Sequence, residues 1–427
     1  MKTIINLSLL TALLISNAYS VEDEVTRDRI HSVKKAIASV SDTQQKELGV
    51  ADGFMHMFKD GTVTGQVRAL YSEMNYKKSQ DVYASAIGGF LKYELAEYKG
   101  FSAGVEFVTT YDVDFLSGEG LKRNDELSSQ EQNYTQMNEA YLHYNYEGLN
   151  LRVGRQTIDT PLADSDDIRM VANSFEAYLA SFSYENISFV GAALISWQGA
   201  DAGLDDPWSK TGEDGTYFGG IIWSDDFIDA SLWYYNINGI SGDDTANNSY
   251  YGDFVVHLPL SEKMSLHTGV QYLQQEELDK SNVSSKIYGA MAELVVYDIG
   301  FNLAYNHASK QKDKQSFSGF GGGTLFTNMD NMILDNISLD REVDAVVTGL
   351  SYEYKDFNFL YAYGDFKGSE NSLKQKEHIV EQNLGVSYEK DESLSLGAIL
   401  TTQVDKENTN VNGGDWTNLR VLVAYNF

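Results

Sequence analysis

The chain has 427 residues, no cysteine, three prolines (Pro161, Pro207, Pro259), 36 glycines, 28 tyrosines and 20 phenylalanines, and a formal charge of -30. The lack of cysteine excludes disulfides, thiolate chemistry and lipid attachment at a lipobox. The acidity excludes a nucleic-acid partner, because such proteins cluster Lys and Arg against phosphates. Abundant Gly, Tyr and Phe favour sheet over helix, and no Pro/Ser-rich linker divides the region after residue 60, so one large β unit is the simplest reading.

Residues 1–20, MKTIINLSLLTALLISNAYS, place Lys2 before an apolar run from Ile4 to Ile15, with small residues Ala18 and Ser20 where a signal peptidase reads. This pattern predicts an export signal, with a mature chain from Val21 whose charge is -30 minus the one of Lys2, or -31. Nothing later approaches an apolar helix of about 20 residues. An exported chain without one is periplasmic, secreted, or a barrel in the outer membrane.

Residues 21–60 read as an N-terminal extension. Ile30, Val33, Ile37 and Val40 repeat at helical spacing, with Arg27, Arg29, Lys34, Lys35 and Glu47 elsewhere around the wheel, which predicts a short amphipathic helix. Packing on the barrel, a frayed extension and a small coiled coil between protomers all stay open. A second short helix is predicted over residues 51–59, around Phe54, Met57 and Phe58.

From Thr62 to the C-terminus the pattern changes to period two. Phe101, Ala103, Val105 and Phe107 alternate with Ser102, Gly104 and Glu106, and Leu142 and Tyr144 alternate with Glu139, His143 and Asn145. The last segment sets Leu419, Val421, Val423, Tyr425 and Phe427 against Asn418, Arg420 and Asn426. In a soluble barrel the apolar face would turn inward and strands would be shorter. Segments of about 9 to 13 residues tipped with Tyr, Phe and Trp fit strands that cross a bilayer between aromatic girdles. Tight turns, such as residues 147–149, 184–187 and 354–357, alternate with long polar joins, among them 112–134, 157–173 and 309–340. The predicted fold is therefore all-β: a transmembrane antiparallel β-barrel over residues 61–427, of about 18 strands, or 16 if one hairpin is overcounted, with a water-filled lumen.

Two stretches carry a family likeness. FKDGTVTGQVRALY (58–71) resembles the first strand of the OprD-like porins and of the related major outer-membrane porins of epsilon-class proteobacteria. GRQTIDTP (154–161), followed by Arg169 and an aromatic-rich strand from Phe175, is similar to the same group, as is the glycine-rich FGGGTLFTNMD (320–330). The resemblance covers most of residues 54–427. It implies an 18-stranded channel, trimeric or monomeric according to branch, whose third and seventh extracellular loops fold inward to narrow the pore. The count of long joins places 157–173 third and 309–340 seventh, in agreement. The terminal Phe427 resembles the signal by which barrel-assembly machinery recognises such proteins; it also reads simply as the last apolar residue of a strand.

Alternation turns Glu106, Glu139, Asp229, Asp253, Glu293 and Glu381 inward among the acids, with Arg68, Arg152 and Arg420 among the bases. Arg68 and Arg420 lie on the first and last strands and are expected close together at barrel closure. In the third loop, Pro161 is expected to end the strand ladder, since it has no N–H to donate. Asp164, Asp166 and Asp167 then form a charge filter with Arg169 restraining part of the cluster, so that Asp166→Asn or Asp167→Asn shifts ion selectivity without changing folding. Opposed charge clusters of this kind orient dipolar solutes and select ions.

Asp330, Asp335 and Asp340 supply hard oxygen ligands that calcium would accept, although no EF-hand spacing is present. No other cofactor is implied. The seven histidines form no HExxH or paired metal spacing and no GxSxG elbow occurs, which argues against an enzyme. An outer-membrane protease or phospholipase assembled from residues distant in sequence, or a non-conducting structural or adhesin barrel, are the competing readings. With about forty residues between signal and barrel, no plug domain of an energy-coupled receptor is expected. The function predicted is a passive, cation-preferring outer-membrane porin of a Gram-negative bacterium. Its partners would be small hydrophilic solutes and ions, outer-membrane lipid and lipopolysaccharide, and other copies in a homotrimer if that branch applies.

Overall fold

The computed structural model describes residues 50–124, 127, 133–204, 208–239, 245–390 and 393–427. The predicted export signal and the helical repeat from Ile30 to Val40 lie outside the described residues. Among the described residues one α-helix, α1 (Val50–Lys59), is followed by nineteen strands in a single sheet: β1 (Thr62–Tyr76), β2 (Val82–Glu94), β3 (Phe101–Asp112), β4 (Tyr134–Tyr146), β5 (Leu149–Gln156), β6 (Ser174–Tyr184), β7 (Ile187–Gln198), β8 (Ser209–Lys210), β9 (Thr216–Ser224), β10 (Ile228–Ile237), β11 (Asn247–Ser261), β12 (Met264–Glu277), β13 (Ser285–Val296), β14 (Ile299–Ala308), β15 (Val343–Tyr354), β16 (Phe357–Gly368), β17 (Glu377–Lys390), β18 (Leu394–Asp405) and β19 (Trp416–Asn426). With the two-residue β8 set aside, eighteen strands pair antiparallel in chain order, and β1 pairs with β19, so the sheet is closed.

Closure is specific in register. Gln66 lies opposite Asn426 and Tyr76 opposite Trp416, and the Gly65 and Phe427 backbones exchange two hydrogen bonds of 2.9 Å. A Cβ on Gly65 would fall 2.4 Å from the Phe427 ring, so the terminal aromatic lies over a residue that has no side chain.

The period-two pattern divides the strands as the sequence predicts. On β19, Val421, Val423 and Tyr425 are exposed while Arg420, Leu422 and Ala424 are buried. Phe101 and Phe107 of β3, Leu142 of β4, Leu232 of β10, and Phe357, Phe359 and Tyr361 of β16 likewise face out. An exterior of Leu, Val, Phe and Tyr around polar inward side chains is stable only where the outside solvent is hydrocarbon. Among the described residues no helix is long and apolar enough to cross a membrane.

Short turns at one end (147–148, 185–186, 225–227, 262–263, 297–298, 355–356) alternate with nine longer joins at the other. In chain order these loops are L1 (77–81), L2 (113–133), L3 (157–173), L4 (199–215), L5 (238–246), L6 (278–284), L7 (309–342), L8 (369–376) and L9 (406–415). The joins expected to be third and seventh hold those places. Helix α1 docks at the turn end. Its Gly53 abuts the Tyr98 ring, Ala96 N–H donates to Met57 O at 3.0 Å, and the Tyr93 hydroxyl donates to Phe58 O at 2.5 Å.

Gly65→Val should force Phe427 aside and cost about 1–3 kcal/mol, as overpacking does. Gly191→Ala, where the nearest atom would be 3.9 Å away, should be close to neutral. Equilibrium unfolding of the two variants in detergent or lipid checks this, and equal stability would show that the Phe427 ring contributes nothing to closure.

Candidate functional site

The third and seventh loops meet each other on the inner side of the wall. Ala163 N–H donates to Thr160 O at 3.3 Å and closes a turn with Pro161 at its second position, and Thr160 N–H donates back to Ala163 O at 2.7 Å. Pro161 therefore starts a turn rather than ending the ladder. The strand stops earlier, at Gln156, where the backbone N–H and hydroxyl of Thr157 both donate to Glu139 Oε1 at 3.1 Å. Beyond the turn, Asp164 N–H donates to Phe320 O at 2.9 Å and Phe320 N–H to Leu162 O at 3.0 Å, a short parallel bridge between L3 and L7. The glycines of the 320–330 motif permit this approach. Gly321 has φ +76, and a Cβ there would meet Asp164 O at 2.4 Å, while one on Gly319 would meet the Leu162 backbone. Ile158, Leu162, Met170 and Val171 of L3 and Phe320, Met329, Met332 and Leu334 of L7 share one buried cluster with Phe175, Ile222, Tyr235 and Ile287 of the wall.

Each loop is also tied to an inward arginine. Arg68 of β1, 2% exposed, donates from Nη1 and Nη2 to Asp167 at 2.7 and 2.9 Å, from Nη1 to Arg169 O at 2.6 Å and from Nε to Gln66 at 2.5 Å. Arg420 of β19 pairs with Asp330 of L7, whose other oxygen accepts from the Thr401 hydroxyl at 2.5 Å. The two arginines do not form one cluster. Arg420 lies opposite Ser72, four residues along β1 from Arg68, and each holds a different loop. Glu381 accepts the Asn331 N–H at 3.1 Å. Amide side chains hold the rest of L7. Gln275 accepts from Phe317 N–H and donates to Phe317 O, both at 2.9 Å, and Gln271 accepts from Phe326 N–H at 2.6 Å while donating to Thr324 O at 3.3 Å. An amide has one donor and one acceptor end, so it can pair with a backbone as a neighbouring strand would.

Around L3 the acids do not act as one group. Asp164 accepts from Asp166 N–H at 2.8 Å and Asp159 from Ser165 N–H at 3.1 Å, while Asp167 is taken by Arg68. Arg169, expected to restrain these aspartates, instead reaches L4 and pairs with Asp201 at 2.6 Å; Asn173 donates to the other Asp201 oxygen at 2.8 Å. Burial, and then the Asp201 charge, push the Asp166 carboxyl well above the ordinary carboxylate range. Burial also acts to raise Asp201, but Arg169 and Asn173 outweigh it and hold that group low. The two shifts run in opposite directions, as for carboxyls that share one hydrogen bond, with Asp166 the more readily protonated of the pair.

On the adjoining wall a bulge at Asn138 turns both Asn138 and Glu139 inward, and Asn138 donates to Glu106 at 3.1 Å. Lys92 Nζ lies 2.6 Å from Glu139, and Arg152 stacks over the Tyr141 ring at 4.4 Å. Alternation found Glu106, Glu139 and Arg152. It did not single out Lys92, although its even spacing from Gly88 and Phe90 marks the same face. Asp201 carried no such signal, because its role depends on which loop folds beside it.

The calcium expectation finds no common site. Asp330 is held by Arg420 and Thr401, Asp335 by the Ser316 hydroxyl, and Asp340 by Ser372 N–H at 2.7 Å and Asp313 N–H at 3.2 Å. The Ser372 bonds bring Asp340 down to about 2, whereas burial raises Asp335 despite Ser316. Three carboxylates each committed to a different partner are not a ligand set. Among the described residues the grouping with metal-ligand spacing is His307, Glu342 and Asp344, near the long-loop ends of β14 and β15.

No protein-family model and no curated protein matches the sequence. Solved structures do match in fold. OccAB2 of Acinetobacter baumannii superposes with a TM-score of 0.75 at 13% identity, covering 87% of this chain and 99% of that one. OpdL of Pseudomonas aeruginosa gives 0.70 at 16% identity over 86% and 99%, and OpdK of the same organism, solved with vanillate, 0.71 at 14% over 86% and 99%. The class that the fold defines is a closed, 18-stranded antiparallel β-barrel with an apolar exterior. Within that class the architecture is that of the OprD/Occ porins, as the resemblance in the first strand and both loops implied.

Asp167→Asn should not leave folding untouched, contrary to the sequence-based expectation, because it removes the charged partner of a buried arginine. Loss of about 1–3 kcal/mol is expected, read as a lowered unfolding midpoint. Asp166→Asn should behave differently. A carboxyl whose folded pKa is raised contributes stability in acid that is lost as pH rises through the raised value. The amide donates to Asp201 without titrating, so the pH profile of the melting temperature should lose that alkaline decline. Identical profiles for wild type and variant would refute the shared proton.

Proposed function

We propose that the chain is an outer-membrane porin of a Gram-negative bacterium, a passive channel for ions and small hydrophilic solutes whose pore is narrowed by L3 and L7. The observation that carries this reading is the bridge from Asp164 and Leu162 to Phe320, with each loop tied to an inward arginine. Loops joined to each other and tied to the adjacent strands β1 and β19 at the closure seam are held at fixed positions, which supports their lying across the lumen. Selection then acts through the polar groups left along the path, by size and by field.

The path carries more acid than base. Glu106, Asp229, Asp253 and Glu293 face inward, and of the inward arginines Arg68 and Arg420 are each paired with a loop aspartate. Two cations so neutralised leave inward-facing carboxylates in excess over the remaining cations, which favours cation passage. A neighbour in fold was solved with vanillate, an aromatic carboxylate, but carrying that substrate class over to this chain is disfavoured by a lumen in which Arg68 and Arg420 are already engaged by loop aspartates. Outer-membrane lipid and lipopolysaccharide would surround the apolar exterior, and assembly machinery would read the strand ending at Phe427. The chemistry proposed is passage, with no bond made or broken.

Planar-bilayer recording in a potassium chloride gradient tests both parts. A reversal potential of the sign for cation preference is expected, and anion preference would sink the selectivity reading. Arg420→Ser, which releases L7 from β19, should raise single-channel conductance and its noise. An unchanged conductance would show that L7 does not limit the pore.

A further inference from the structure

A second cluster lines the wall near the turn end, at the opposite ends of the strands from L3 and L7. Asp229 of β10, His257 of β11 and His267 of β12 all point inward, and none is more than 8% exposed. His257 Nε2 lies 2.8 Å from Asp229 Oδ2, His257 Nδ1 lies 2.6 Å from His267 Nδ1, and His267 Nε2 lies 3.0 Å from the Ser265 hydroxyl. The imidazole planes are inclined at 58° with centroids 4.9 Å apart.

The chemistry of these partners fixes one proton and leaves another free to move. An ionised carboxylate only accepts, so His257 carries its proton on Nε2 and directs the Nδ1 lone pair at His267. A hydroxyl both donates and accepts, so Ser265 serves either tautomer of His267. In one, the Nδ1–H of His267 fills the gap to His257. In the other, Nε2–H is donated to Ser265, and two bare Nδ1 atoms converge on one point. Each ring is then held from behind through Nε2–H, one of them by a carboxylate, which is how protein groups orient imidazole as a metal ligand. Asp229 Oδ1 is buried without a hydrogen-bond partner, so negative charge stands uncompensated behind His257. Glu293, opposite His267 in the β12–β13 register, adds a second carboxylate to the same stretch of wall.

We propose that His257 and His267 jointly bind a borderline divalent ion, Zn²⁺, Ni²⁺ or Cu²⁺, through their Nδ1 atoms, with Asp229 and Ser265 as positioning residues. Imidazole suits these ions, whereas calcium and magnesium prefer oxygen. Two Zn–N bonds of about 2.0–2.1 Å at a tetrahedral angle need the nitrogens roughly 3.3 Å apart, against 2.6 Å here, so the rings must separate by about 0.7 Å. Lumen water would complete the coordination. The site needs no narrowing by L3 or L7, so it does not rest on the transport reading.

The test uses the full mature chain in detergent, free of any histidine tag. Isothermal titration with Zn²⁺ should show one ion per barrel, and Cu²⁺ should give an electron paramagnetic resonance spectrum coupled to two imidazole nitrogens. His257→Gln and His267→Gln should each weaken binding at least about tenfold and leave one coupled nitrogen. Asp229→Asn should weaken it about 10- to 100-fold with both nitrogens retained. As a readout needing no variant, bound Zn²⁺ should protect His257 and His267 from diethyl pyrocarbonate, with His56 as the exposed control. Absence of binding at millimolar metal, binding indifferent to both glutamine variants, or modification of the pair unchanged by Zn²⁺ would each overturn the proposal.

Discussion

The ladder between β1 and β19 is the contact on which the rest depends. A bilayer core offers no water to an unpaired N–H or C=O, so an open sheet edge cannot persist there, and eighteen strands become a membrane structure only when the first and last pair. Closure also decides function. It places Arg68 and Arg420 on adjacent strands, four residues apart in register, and thereby sets which two stretches of loop can be held at that seam.

What the seam holds is unlike an ordinary protein core. The inward face of the strands is polar, yet at the long-loop end it is packed with Leu162, Met170, Phe320, Met332 and Leu334, side chains that arrive from loops. The loops have no ladder of their own, so their backbone groups must be satisfied by the wall. Gln271 and Gln275 do this for L7, and Glu139 does it for the start of L3. The buried arginines complete the attachment with charge-assisted bonds, which are stronger and more directional than neutral ones. The two arginines used as anchors are thereby paired with loop aspartates and removed from the charge the inward face leaves open.

The acidic run of L3 illustrates how such a wall reassigns residues. ADSDD looks like one negative patch in the sequence. In the fold Asp164 bonds to its own loop, Asp167 to Arg68, and Asp166 is pushed toward protonation by burial and by Asp201, a residue 35 positions further on. The three aspartates proposed for calcium part company in the same way, each satisfying a different neighbour.

The sequence by itself determined the barrel. Period-two alternation, aromatic-tipped strands and the rhythm of short and long joins are local properties imposed by the membrane on every hairpin, so eighteen strands, the outward and inward faces, and the order of L3 and L7 were legible one segment at a time. Gly321 was visible as part of a motif, although not its reason, and Gly319, just before that motif, was not singled out. What only the tertiary structure decided are the contacts between residues far apart in the chain: Arg68 with Asp167, Arg420 with Asp330, Arg169 with Asp201, His257 with His267. Alternation states which face a side chain occupies. It is silent on depth along the strand and on which loop lies opposite, and those depend on register and closure summed around the whole ring.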